Sequence, residues 1–416
     1  MAGRRVFVDI SPLRVSRDFR WLYTGQMVSF VGSQLTVVAV PYQVYQLTHS
    51  SLQVGLVSLV SLVPLVVGSL VGGSIVDAYD RRRVLLITEV LLAATSATLA
   101  LNASAAQPAL WPLYAVTAVA SGLSGVDRPA RSAMVPNLVG EEHLAAANAL
   151  WQILLQVGVV AGPGLAGLLL AGTGVSTVYW IDVATFAAAF ITVLFMAPMP
   201  VPGGPRKVGL GSIIEGLSYL RGRQVIQGVF LIDINAMVFG MPRALFPALG
   251  TNVFKGGAQA VGFLYAAPGA GALLGALTTG WVGRVRHQGR AVIIAVMAWG
   301  AAIATFGAVK LLPLALLLLA IAGWADVISA VFRNTMLQVS TPDELRGRLS
   351  ALQIAVVTGG PRLGDFEAGA VAAATDVSFS VVSGGLACIA GAGLVARLLP
   401  GFSRYRANDP PHDSSD

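Results

Sequence analysis

Ionisable side chains fall inside long apolar stretches of this chain: Asp182, Asp233, Arg243, Asp326, Arg362, Asp365 and Glu367. Charge in hydrocarbon is costly, so such residues mark either a functional position or a mutual pairing. Arg362 and Asp365 are three apart, on one face of a helix, and can neutralise each other; Arg243 and Asp326 are further buried partners. A carboxyl in a low-dielectric cavity holds a proton far more readily than one in water. Asp233, Asp365 or Glu367 is therefore expected to exchange a coupling proton. The first apolar stretch contains no acid, only Gln26, Ser29, Ser33, Gln34, Tyr42 and Gln43. Gln26, Gln34 and Tyr42, with Tyr265 and Trp324, could line a cavity for an amphipathic solute or simply hydrogen-bond between helices. Asp127 and Arg128 are read as gate or surface residues.

The elements that must position these groups are membrane helices. The 416 residues are 55% hydrophobic and only 11% charged, where a soluble chain carries about 25% charged residues. Mean hydropathy is +0.74. Apolar runs near the 20-residue length of a bilayer crossing fall at 22–46, 52–76, 83–101, 111–132, 145–171, 176–196, 225–249, 258–281, 291–309, 312–336, 347–372 and 378–398, an all-α architecture of twelve spans. The basic residues Arg81 to Arg83, Arg128, Arg131, Arg206 to Arg223, Arg284 to Arg290, Arg346, Arg348 and Arg397 to Arg406 fall in alternate connections, on the side of the basic amino terminus. Only Lys255 and Lys310 fall opposite. Positive charge marks the cytoplasmic face, so both termini are expected inside, and the first twenty residues are too polar for a cleavable signal peptide.

Pro198-Met-Pro-Val-Pro-Gly-Gly-Pro205 cannot be helical. It divides the chain into bundles at 1–197 and 225–400, with a cytoplasmic linker at 198–224 and a disordered tail at 401–416. Ile213, Leu217 and Leu220 recur at helical spacing, as in an amphipathic surface helix. The halves repeat: Arg131-Ser-Ala-Met134 matches Arg333-Asn-Thr-Met336, and Gly162-Pro163-Gly164 matches Gly360-Pro361-Arg362. Thr341-Pro-Asp-Glu344 reads as a capping box. Duplicated halves place a substrate site between them near mid-membrane.

Gly73-x-x-x-Asp77-x-x-x-Arg81-Arg82, between the second and third runs, resembles the loop signature of the major facilitator superfamily of secondary transporters. Ala78 and Asp80 depart from that pattern. The resemblance implies a conformational switch in which Asp77 docks on the start of the eleventh span, at Arg346 and Arg348, while Arg81 braces the fourth helix. Gly158-Val-Val-Ala-Gly162-Pro163-Gly164-Leu-Ala-Gly167 resembles the superfamily's antiporter signature in helix 5, or is a tight helix crossing. Leu47-Thr-His-Ser-Ser-Leu-Gln-Val-Gly-Leu56, Pro136-Asn-Leu-Val-Gly140, Gly262-Phe-Leu-Tyr265 and Thr335-Met-Leu-Gln338 are similar to the enterobactin exporter family. That likeness implies a proton-coupled exporter of a small organic solute, a siderophore first and a macrolide-like drug as the alternative. Arg128, Arg131, Asp326, Arg333 and Arg362 stand where that family's pattern is uncharged.

Other classes fit less well. The net charge of +7 reports topology, not nucleic-acid binding. The single cysteine, Cys388, leaves no disulfide framework or thiolate metal cluster, and no phosphate-binding loop accompanies the three lysines. The expectation is a non-enzymatic, monomeric transporter without cofactor, whose partners are a small molecule, protons and the lipid bilayer. A channel or a non-transporting scaffold is the competing class.

Overall fold

The computed structural model describes residues 9–200, 220 and 222–407, without the side chains of residues 343, 344, 346–348 and 351. The linker beyond residue 200, its amphipathic stretch apart from Leu220, and the tail from residue 408 lie outside the described residues. Those described are helical, with no strand among them. The long helices are α1 (Arg17–Thr48), α2 (Ser51–Ala78), α3 (Arg81–Ser104), α4 (Trp111–Val139), α5 (Leu144–Thr173), α6 (Val175–Leu194), α7 (Gln224–Phe239), α8 (Gly257–Leu277), α9 (Gln288–Ala308), α10 (Leu312–Val339), α11 (Asp343–Ala374) and α12 (Val377–Leu398). Ten helices, α7 counted with its continuation to Val253, are long and apolar enough to cross a membrane. The other two, α4 and α11, have 29 and 32 residues but carry the clustered charges Asp127, Arg128 and Arg131, and Arg362, Asp365 and Glu367.

Helix ends follow local chemistry. The Asp80 carboxylate caps α3 by accepting from the Arg83 N–H at 3.1 Å, and Asp376 caps α12 through the Phe379 N–H at 2.9 Å, each satisfying a donor the helix cannot. Gly140 and Gly174, at φ +71° and +84°, end α4 and α5 in a conformation a side chain would disfavour. The Thr341 hydroxyl donates to the Leu337 carbonyl one turn back, at 2.5 Å, and α11 begins after Pro342; the side chain of Glu344, the other half of the expected capping box, lies outside those described.

Two compact units emerge, one of residues 1–47 and 60–208, the other of residues 48–59 and 209–416. Phe19, Leu22, Leu85 and Met134 are buried in the core of the first. Within it, α2 and α4 cross at glycines: a Cβ on Gly68 would lie 2.1 Å from the Gly122 carbonyl oxygen, and one on Gly72 2.7 Å from the Val126 Cα. Such contact between backbones needs small residues. Gly73 of the loop signature has no atom within 4 Å of its would-be Cβ.

The second unit buries Phe246, Trp299, Phe306 and Phe332. Its α7 stops at Gly240, before Pro242, where the sequence predicts a continuous helix to residue 249. The chain continues through a 3₁₀ turn at Arg243–Leu245 and a π turn at Leu249–Val253. Proline cannot donate to the helix ladder, and the freed backbone groups find side-chain partners.

Candidate functional site

In the first unit, α3 and α4 bring three charged groups together away from solvent. Arg131 Nε donates to Asp127 Oδ2 at 2.7 Å, and Arg131 Nη2 donates to Glu89 Oε1. The Thr88 hydroxyl, 3.0 Å from Asp127 Oδ1, engages the other oxygen of that carboxylate. Glu89 is fully buried and Arg131 is 3% exposed. Two atoms of the cluster, Glu89 Oε2 and Arg131 Nη1, are buried without a hydrogen-bond partner. Asp127 is thus an interior group, which rules out the surface reading; its neighbour Arg128 is the exposed one. Glu89 is the residue the sequence reading passes over. An acid inside the run 83–101 is the signal that could have found it.

Beside this cluster, Asp182 on α6 accepts from Thr36 on α1 at 2.6 Å, from Ser96 on α3 at 2.8 Å and from Thr185 at 3.4 Å. On α1, Gln26 and Tyr42 are buried and Gln34 is half-buried; the buried Gln26 Oε1 has no hydrogen-bond partner. Gln34 packs on α5, where a Cβ on Gly162 would lie 2.4 Å from the Gln34 Cβ, and one on Gly158 2.3 Å from the Phe30 ring. Pro163 and Gly167 are buried on the same helix. The helix 5 glycines therefore seat α1. Gly162→Val is expected to lower the thermal midpoint of the purified protein in detergent, overpacking costing about 1–3 kcal/mol. Gly164→Ala, which meets open space, is expected to leave that midpoint unchanged.

At the loop of the sequence signature, Arg81 Nη1 donates to the Ala133 carbonyl of α4 at 2.8 Å. Arg82 Nε and Nη2 donate to the last carbonyls of α6, Val193 at 3.1 Å and Leu194 at 2.7 Å. Cations at helix carboxyl ends satisfy both the free acceptors and the dipole. Asp77 is half-buried at the end of α2. The side chains of Arg346 and Arg348 lie outside those described.

The second unit contains an arginine cluster of related design. Arg333 Nη2 on α10 sits 2.8 Å from Asp233 Oδ1 on α7 and 3.8 Å from Asp326 Oδ1, and Nη1 donates to Ser329 at 2.7 Å. Asp233 and Arg333 are 2% and 3% exposed. Around the break in α7, Asp365 Oδ1 accepts from the Ala244 N–H at 3.0 Å, while Oδ2 accepts from Ser58 at 2.7 Å. The Tyr265 hydroxyl donates to the Arg243 carbonyl at 3.0 Å, and Trp299 Nε1 to the Gly240 carbonyl at 2.9 Å. Irregular backbone at membrane depth requires such partners. Arg362 Nη1 donates to the Thr358 carbonyl at 2.7 Å, and Glu367 is half-buried. Trp324 is exposed and donates to the Thr278 hydroxyl at 3.0 Å, whereas Tyr265 is committed to the α7 break.

Long apolar helices together define a polytopic helical membrane protein. The fold agrees: the nucleoside transporter NupG superposes with a TM-score of 0.71 at 14% identity, over 93% of this chain and 98% of that one. A POT family transporter crystallised with a thioalcohol-conjugated peptide gives 0.72 at 12%, over 93% and 96%. The chain belongs to the transmembrane secretion effector family of major facilitator transporters, whose profile matches residues 8–409. It is similar to the enterobactin exporters EntS of Escherichia coli (strain SMS-3-5 / SECEC) and Shigella boydii serotype 18 (strain CDC 3083-94 / BS512). Each is 30% identical over 409 residues, 98% of both chains. The protein is accordingly a multi-pass protein of the cytoplasmic membrane, in a family of transporters, not enzymes.

Proposed function

We propose that the protein exports a siderophore-like small organic solute by alternating access, driven by the proton gradient. The observation that carries this reading is the likeness to enterobactin exporters along 98% of both chains. In this reading twelve helices span the membrane, α4 and α11 included, and both termini are cytoplasmic. Bundles at 1–197 and 225–400, joined by the linker 198–224, make up a monomer. Gln26, Gln34 and Tyr42 contact the cargo. Asp77, Arg81, Arg346 and Arg348 serve the conformational switch, and Asp233, Asp365 or Glu367 carries the coupling proton. Asp365 suits such a role because it holds both a hydroxyl and a backbone N–H of the α7 break, so its protonation would loosen both contacts.

Expression of the chain in Escherichia coli lacking its own enterobactin exporter tests the cargo. Restored secretion of enterobactin under iron limitation is the expected result. Unchanged secretion together with raised macrolide tolerance would overturn the siderophore assignment in favour of drug efflux. Asp365→Asn is expected to abolish secretion with normal amounts of protein in the membrane; intact secretion in Asp233→Asn, Asp365→Asn and Glu367→Gln alike would remove these three from the coupling path.

A further inference from the structure

The charge count around Arg131 does not close. One guanidinium meets two carboxylates, Asp127 and Glu89, in a place where an uncompensated charge is strongly unfavourable. Arg131 and Asp127 balance each other: both oxygens of Asp127 lie within hydrogen-bond distance of a donor, Arg131 Nε or the Thr88 hydroxyl. Glu89 is then surplus, and only its Oε1 has a partner, while the fully buried Oε2 has none. No other cation relieves it, since Arg131 is its one ion-pair partner among the described residues. The element packed on its other side, α6, adds a further acid, Asp182, whose field also reaches Glu89 and which in turn accepts from the Thr36 hydroxyl of α1.

We propose that Glu89 is a proton-binding group of the first unit: Glu89 and Asp127 share one proton, which sits on Glu89 Oε2 while Arg131 pairs with Asp127. If Arg131 turns fully to Glu89, the Glu89 O–H bond breaks, its carboxylate becomes the counter-ion, and Asp127 takes up a proton in exchange. The charge of the cluster is the same before and after, so the guanidinium can change partner without a net charge appearing in hydrocarbon. The role of this exchange in transport rests on the proton-driven reading above; the presence of the proton does not.

Infrared spectra of the full-length protein in lipid bilayers at neutral pH test it. Glu89→Gln is expected to remove a carboxylic-acid C=O band that the wild type shows. Asp127→Asn is expected to remove the same band, because Glu89 then becomes the only counter-ion of Arg131 and ionises. A difference spectrum without a lost acid band in Glu89→Gln, or persistence of the Glu89 band in Asp127→Asn, overturns the proposal. Where one variant fails to fold, the other decides. In everted vesicles, Glu89→Gln is expected to lose gradient-driven enterobactin uptake yet retain exchange of labelled for unlabelled enterobactin. Equal gradient-driven uptake by variant and wild type overturns the coupling role, whereas no enterobactin transport by the wild type overturns the cargo and leaves the infrared result to decide the proton site.

Discussion

Arg131→Met is expected to cost about 3–5 kcal/mol, because removal of one member of a buried ion pair strands the others. Asp127 would lose the Nε donor at 2.7 Å and Glu89 its partner on Oε1, in a core where Glu89 is fully buried. The readout is the yield of monodisperse protein in detergent and its thermal midpoint, both of which should fall steeply. Combining Arg131→Met with Asp127→Asn and Glu89→Gln is expected to recover most of the loss, since a buried ionic cluster replaced as a whole is often neutral for stability. That recovery would separate the cost of stranded charge from the cost of lost side-chain volume. Gradient-driven transport should stay absent in the triple variant, which has fold without the exchanging group.

Gly271→Val is expected to have an effect of comparable size on the second unit. A Cβ at Gly271 on α8 would lie 1.8 Å from the Ala320 carbonyl oxygen of α10, and on the other side of the crossing a Cβ at Gly323 would lie 2.0 Å from the Pro268 carbonyl oxygen. Both obstacles are helix backbone, which cannot rotate aside as a flexible side chain can. The helices would have to separate along their length, losing the close packing that holds helices together in lipid. Overpacking typically costs about 1–3 kcal/mol and sometimes more; a crossing closed from both sides belongs at the upper end. Limited proteolysis and thermal melting of the purified variant should both show it, while Gly283→Ala, where nothing lies within 4 Å, should behave as wild type.

The helices were legible in the sequence because hydrocarbon leaves the backbone no alternative, so each crossing announces itself as an apolar run of sufficient length. The helix 5 glycines were legible for a related reason: only small residues allow the approach that Gly158 and Gly162 make to Phe30 and Gln34. The ion clusters were legible only in part. Asp233 and Asp326 stood out, and Arg333, seven residues from Asp326, shares a helix face with it; but Asp233 lies on a different helix from Arg333, a proximity that spacing does not encode. Glu89 was hidden for the same reason, since its partners come from α4. The break in α7 follows from Pro242, yet the groups that tolerate it, Asp365, Tyr265 and Trp299, are distant in the chain.

Proton-driven export is tested most directly by accumulation of labelled enterobactin in everted membrane vesicles that contain the protein, measured with an imposed proton gradient and again after a protonophore collapses it. Accumulation that depends on the gradient and disappears with the protonophore is the predicted result. Accumulation that persists after the gradient is gone, or equal levels in vesicles with and without the protein, would contradict it.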